Sequence, residues 1–527
     1  MFKRNFKKLA TGLLAAVMVA GTALSGAVQA APIVGPTPTS GSLTINKTDA
    51  GGTALKGAGF TLYKIMDLIP GTNAGEYAEF EAVSHYSSEL VKITPDALKN
   101  YSAADIEALT DQLLALTATD PDAIDMALTA EGTGMAKQTG LELGYYMVVE
   151  TTVPNGHVAS SPFFVAIPST DNYNNSSAVG TTWTYDVVVA PKNASVPLDK
   201  VIVKGSETAE KDTVSYGDTI EFRTTTQIPA FANEYFEAGT PIFKITDKAT
   251  DGIVYDNTDN KVFVMGDSDW ESITEGTDTF SWTDGSSDSD PDFTVTFAKK
   301  FLQDYAGKDV KIEYQATVTE DILVGTSTSA NNYNTATLTY SRNPQVLTDV
   351  GTLEDKVEVY SFEIAIEKFA KVNGSNSLID TAKFELYSDA ACTTKVFNAT
   401  YSTVDGVLTF PSIKEGTYYI KEVEAPTGYK LLVNPIKVVL TATKTANALD
   451  GGFTVTVDGT AVSAGTTAYV SRIDTAVSTG KTIVAVQNTK GFTLPATGGM
   501  GIAIFTLIGF AAIAFISVKV FAKKKAN

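Results

Sequence analysis

Residues 361–389 read SFEIAIEKFAKVNGSNSLIDTAKFELYSD: a run in which apolar residues recur at every second position, a turn of Asn, Gly and Ser, and a second run that closes on Phe-Glu-Leu-Tyr. Alternation at period two with such turn residues predicts a strand, a reversal and a second strand. The same order appears far upstream, in GSLTINKTDAGGTALKGAGFTLYKI at 41–65, which closes on Phe-Thr-Leu-Tyr. Each copy is followed by an aromatic strand, YYMVVETTVPNG from Tyr145 and YYIKEVEAPTGY from Tyr418. This is a divergent internal repeat, and it sets two related β-units at either end of the chain.

Between them, from about Leu198 to Asp355, runs such as YGDTIEFRTTTQI and KVFVMGDSDW alternate with Gly, Asn and Asp turns and predict a third sandwich. The expected fold is all-β: three tandem immunoglobulin-like β-sandwich domains over 31–195, 196–355 and 356–490. Thr94 to Met135 departs from this pattern, with Leu, Ile and Ala at helical spacing, and predicts a helical insertion in the first domain.

A chain of 527 residues exceeds what one hydrophobic core supports, in keeping with several domains. Met1 to Ala30 has a basic start, an apolar stretch and small residues at GAVQA, the layout of a secretory signal peptide. Gly501 to Val518 is apolar and long enough to cross a bilayer, and Lys519, Lys523, Lys524 and Lys525 follow it as a cytoplasmic tail. The formal charge is −20, and removing the four basic residues at each end makes the exported part more acidic still. Nucleic acid or an anionic membrane surface would require basic patches, so neither is an expected partner. Cys392 is the only cysteine, so no internal disulfide can hold this exported chain. His85 and His157 are the only histidines and fit no catalytic or metal-ligand spacing; neither a turnover enzyme nor a cofactor or metal is expected. The acidic SSDSDPD near Ser286 fits no complete calcium loop and reads as a solvated turn.

Side chains alternate faces along a strand. Lys47 shares parity with Leu43 and Ile45, Lys200 with Leu198 and Ile202, and Lys368 with Phe362, Ile364 and Ile366. Glu150 aligns with Tyr146 and Val148, Asp247 with Phe243 and Ile245, and Glu422 with Tyr418 and Ile420. Asn193 follows Val187 and Val189, Asn334 precedes Ala336, Leu338 and Tyr340, and Asn488 follows Val484 and Val486. Each domain thus opens with an inward Lys, carries an inward acid and closes with an inward Asn. Burial disfavours the charged forms of both amine and acid. The amine can then act as a neutral nucleophile while the protonated acid polarises the Asn carboxamide, giving a Lys–Asn amide and ammonia.

These residues resemble the backbone subunits of sortase-assembled Gram-positive pili, built from domains of the collagen-adhesin A and B types. YYIKEVEAPTGY is similar to that family's E-box, with Glu422 as its acid; YYMVVETTVPNG is a looser copy with Glu150. The resemblance implies intramolecular isopeptide bonds Lys47–Asn193, Lys200–Asn334 and Lys368–Asn488, promoted by Glu150, Asp247 and Glu422. It also identifies Leu494, Pro495, Ala496, Thr497 and Gly498 as a sorting motif, cut between Thr497 and Gly498. Trp183 to Lys192 is similar to the pilin motif WxxxVxVYPK, with Ala190 where the family usually has Tyr. Lys192, of opposite parity to Asn193, would point outward and accept the Thr497 acyl group of another subunit. The implied partners are identical pilin subunits in a head-to-tail fibre, a pilin sortase, a housekeeping sortase, peptidoglycan and ancillary tip and basal pilins. The implied location is the cell-wall-anchored pilus. The competing reading is a wall-anchored adhesin or ancillary pilin that keeps the internal bonds and LPATG without using Lys192.

Overall fold

The computed structural model describes residues 38–70, 77–90, 103–170, 183–231, 235–236, 239–325, 332–343, 346–379, 381–396, 407–442, 453–462, 472–473 and 480–490, with a few positions between 508 and 514. The expected signal peptide, the LPATG motif and the apolar segment as a span lie outside the described residues. Among the described residues no helix is long and apolar enough to cross a membrane.

Three β-units follow one another. In the first, the central sheet runs Tyr77–Ala82, Gly59–Pro70, Gly144–Thr152, Phe163–Ile167. Facing it, Ser40–Asn46 lies between Met135–Glu142, antiparallel, and Asp186–Val189, parallel. Leu43, Ile45, Phe60, Leu62, Tyr146, Val148 and Val187 fill the space between these layers. The other face of the central sheet carries a second core of Ile65, Tyr145, Met147 and Val149 under Leu109 and Leu113. Those two leucines belong to the helix Ala103–Thr117.

This insertion corrects two expectations. The helix ends at Thr117 and is followed by turns and the short strand Ile124–Asp125, so helix does not continue to Met135. Pro121 has no N–H to continue the ladder, and Asp120 instead accepts from the Asp122 backbone N–H. Second, Gly144 to Glu150 is buried at every residue, because the helix covers the face that parity alone would have left in water.

The middle unit is a pair of six-stranded sheets. One runs Glu207–Ala209, Leu198–Lys204, Thr219–Gln227, Asp309–Val318, Ile253–Met265, Trp270–Ile273; the other runs Lys211–Thr213, Val346–Tyr360, Asn332–Asn343, Phe243–Ala249, Phe293–Phe297, Phe280–Asp284. The strand begun at Val346 passes through residue 355 and ends at Tyr360. The third unit packs Phe362–Val372, with Lys481–Gln487 parallel beside it, over a sheet of Lys383–Tyr387, Gly416–Glu424, Ile436–Ala442, Phe453–Val457 and Thr460–Val462.

The units are docked. Val158 joins the middle core, and the loop after Glu150 bonds to the middle unit through Asn155 Nδ2 to Thr352 O at 2.9 Å and Gly156 N to Tyr340 Oη at 2.6 Å. At the next junction Lys414 donates its backbone N–H to Ser215 Oγ and pairs with Asp218.

Candidate functional site

The predicted lysines, acids and asparagines meet in three buried clusters, one per unit, and all nine side chains are at most 5% exposed. In the first unit, Lys192 and Asn193 pair in parallel with Thr48 and Asp49, which brings Asn193 beside Lys47. Glu150 reaches them from the facing sheet. Lys47 Nζ donates to its Oε2 and Asn193 Nδ2 to its Oε1, both at 2.8 Å. One carboxylate therefore holds both nitrogens of the expected pair.

The third unit repeats the layout. Lys368 pairs with Val486 across parallel strands, and Asn488 follows two residues later. Lys368 Nζ lies 3.1 Å from Glu422 Oε1, without hydrogen-bond alignment, and both polar atoms of the Asn488 carboxamide lack partners among the described residues. The correspondence extends to the supports. Glu150 sits opposite Phe60 and Glu422 opposite Phe384, the first residue of each Phe-x-Leu-Tyr. Those rings face the lysine Nζ at 5.3 and 5.5 Å. Each acid accepts a backbone N–H from the residue ten positions later, Ser160 at 2.9 Å and Leu432 at 2.8 Å. Tyr146 and Tyr418, four residues before the acids, each donate a hydroxyl to the carbonyl four residues back.

The middle unit divides the parts differently. Lys200 comes from one sheet, while Asp247 and Asn334 come from adjacent antiparallel strands of the other. Lys200 Nζ donates to Asp247 Oδ2 at 2.6 Å and to Tyr314 Oη at 2.5 Å; Asn334 Nδ2 donates to the same hydroxyl at 2.9 Å. Among the described residues Asp247 Oδ1 and Asn334 Oδ1 have no partner and are buried.

Desolvation is the main electrostatic effect. It lowers the Lys47, Lys200 and Lys368 amines below their ordinary range, against the opposing pull of the neighbouring carboxylates. It raises Asp247, against the pull of Lys200. In each unit burial thus works toward the neutral form of the amine in a dry site.

Two hydroxyls in these clusters escaped the sequence reading. Tyr314 lies on core parity in Asp309–Val318, where it is one aromatic among many. Ser160, whose Oγ is 3.1 Å from Lys47 Nζ and 2.9 Å from Glu150 Oε2, sits in a loop without periodicity. Its one signal is the ten-residue offset from the acid, visible only beside Leu432.

Lys192 is exposed, one residue from buried Asn193. The backbone breaks there into two strands: Asp186–Val189 pairs with Ser40–Asn46, and a new strand, Lys192–Ser195, starts after Pro191. The parity survives the break. Leu494 to Gly498 lie outside the described residues.

Comparison with known proteins adds the following. Residues 41–181 and 366–451 match the SpaA prealbumin-like fold domain. The chain is 23% identical over 516 residues to a type 1 fimbrial subunit of Actinomyces viscosus, covering 86% of each. Its fold is similar to a backbone pilin of Streptococcus pyogenes with a modular three-domain structure, at TM-score 0.58 and 17% identity, over 86% of this chain and 100% of that one. It is also similar to the full-length major pilin SpaD of Corynebacterium diphtheriae, at TM-score 0.50 and 20% identity, over 86% and 98%.

Proposed function

We propose that this chain, a pilin subunit of the Gram-positive type, is the polymerising backbone subunit, joined head to tail by a pilin sortase. In this reading Thr497, freed from Gly498 by the sortase and held as its acyl group, is transferred to Lys192 Nζ of the next subunit. A housekeeping sortase then joins the base of the fibre to peptidoglycan. The chain acts as a structural protein and sortase substrate; the only chemistry of its own is internal cross-linking.

The observation that carries the reading is the pairing of an exposed Lys192 with a buried Asn193 on one short strand. An acceptor for another subunit must be reachable, whereas a group that ties its own domain must be dry. Pro191 starts a new strand immediately before both, and fixes that alternation where the first unit meets the second.

Inside each unit, the neutral Lys amine attacks the Asn side-chain carbonyl carbon, the new C–N bond forms, one amine proton passes to the carboxamide nitrogen, and that nitrogen leaves as ammonia. The acid lends a proton to the carbonyl oxygen and recovers it. The bonds would be Lys47–Asn193, Lys200–Asn334 and Lys368–Asn488, each closing a loop of more than about a hundred residues. In the loop-entropy account each contributes roughly 5 kcal/mol. Such ties take the place that disulfides hold in other exported proteins.

Immunoblots of wall extracts should show a high-molecular-weight ladder that Lys192→Ala abolishes. A ladder that persists in that variant overturns the assignment and leaves the wall-anchored adhesin as the better reading. Separately, the intact mass of the purified chain should fall short of its calculated value by three ammonia molecules.

A further inference from the structure

In the first unit the Glu150 carboxylate touches both reacting nitrogens, Nζ of Lys47 through Oε2 and Nδ2 of Asn193 through Oε1. Such a bridge serves amide exchange, because the attacking nitrogen must shed a proton and the leaving nitrogen must gain one. The middle unit has an aspartate instead, one methylene shorter. Asp247 holds Lys200 Nζ through Oδ2, but among the described residues its other oxygen bonds nothing and Asn334 Nδ2 is not one of its partners. The atom that touches both nitrogens there is the hydroxyl of Tyr314, 2.5 Å from Nζ and 2.9 Å from Nδ2.

We infer that Tyr314 is a catalytic residue of the middle cross-link, its hydroxyl carrying the proton from the attacking Lys200 amine to the leaving Asn334 nitrogen. The inference rests on the cross-linking proposed above. Lys200 Nζ forms its bond to Asn334 Cγ and passes one proton to Tyr314 Oη. The tyrosine's own proton passes to Nδ2, the Cγ–Nδ2 bond breaks and ammonia departs. Asp247 protonates Asn334 Oδ1 during the attack and regains that proton as the carbonyl re-forms. Tyrosine and aspartic acid end as they began, so the only net change is amine plus carboxamide to amide plus ammonia.

The tyrosine is built into its place. Phe222, Tyr255 and Phe293 pack around its ring at centroid distances of 5.4, 5.9 and 4.7 Å, and the residue is 1% exposed. Burial and the neighbouring Asp247 keep the phenol well above its ordinary range, so it stays a neutral hydroxyl able to give one proton while taking another.

The test follows each cross-link separately, by mass spectrometry of peptides from the full chain sampled during cell-free synthesis. Tyr314→Phe keeps the ring and removes only the bridge. The expected result is that the Lys200–Asn334 peptide forms at least tenfold more slowly, while Lys47–Asn193 and Lys368–Asn488 form as in the parent chain and the middle unit resists limited proteolysis as in the parent, which shows that it folds. An unchanged Lys200–Asn334 rate overturns the relay. Absence of that peptide from the parent chain instead overturns the underlying cross-link. Should Tyr314→Phe fail to fold, fluorotyrosine at position 314 keeps the hydroxyl but makes it more acidic; the relay requires the pH profile of the Lys200–Asn334 rate to move, and an unmoved profile overturns it.

Discussion

The outer units and the middle unit assemble the same three residue types with opposite partitions. In the first and third, Lys and Asn sit on neighbouring parallel strands of one layer and the acid reaches across the core. In the middle, the acid and Asn share a layer and the lysine crosses to them. A bond in the outer units would tie first strand to last strand within a layer, whereas the middle bond would staple two sheets face to face. The acid follows this geometry. In the first unit a glutamate spans both partners, which lie side by side, while the shorter aspartate of the middle unit leaves a gap that Tyr314 fills.

The largest effect that would break this comparison is expected from Asp247→Ala. It removes the acid needed for the link, worth roughly 5 kcal/mol of loop entropy. It also leaves the Lys200 amine buried without its ion-pair partner, for about another 3–5 kcal/mol. Denaturant unfolding should show the middle unit melting first, with the outer cross-links intact by mass. Asn193→Ala and Asn488→Ala come next, each expected to cost roughly 5 kcal/mol in its own unit and to leave the middle link untouched. Equal destabilisation of all three units by either variant would erase the distinction.

The Asn193→Ala chain also gives a test by pH. Its Lys47 stays an amine whose folded pKa lies below the ordinary 10.5, so above that folded value the unfolded chain binds the proton and the folded chain does not. Stability then rises with pH up to 10.5 and falls as pH is lowered through the same window. The parent chain, with Lys47 consumed as an amide, should lack this slope; thermal melts from neutral pH to about 10 would show the difference. The smallest effect is expected from Ser160→Ala, about 1–2 kcal/mol for the hydroxyl's two lost contacts, to Glu150 and from Lys47. The third unit has Leu432 at the matching place and offers its acid only a backbone N–H. The Lys47–Asn193 bond should therefore still form, as the mass would report.

Much of this was legible in the chain because strand parity is a local property. Lys200, Asp247 and Asn334 lie on cleanly alternating strands, and each is buried where period two puts it. Parity was less informative at Glu150, where the helix Ala103–Thr117 covers the second face of Gly144–Thr152 and leaves every residue from Gly144 to Glu150 buried; the copy of the motif around Glu422 located that acid. The helix end was overrun because Leu and Ala spacing continues past Thr117, while Pro121 and the Asp120 turn stop the backbone.

The sequence by itself determined the repeat, the strand order within it, the inward and outward alternation at Lys192 and Asn193, and the residue types of the three clusters. Each depends on neighbours along the chain. Tertiary structure alone decided which layer each partner occupies, that one glutamate touches both nitrogens while the aspartate touches one, and that Tyr314 and Ser160 join them. Those facts depend on how sheets distant in sequence pack across a core, and side-chain reach over that gap is set by the layers' spacing and register, which no local pattern encodes.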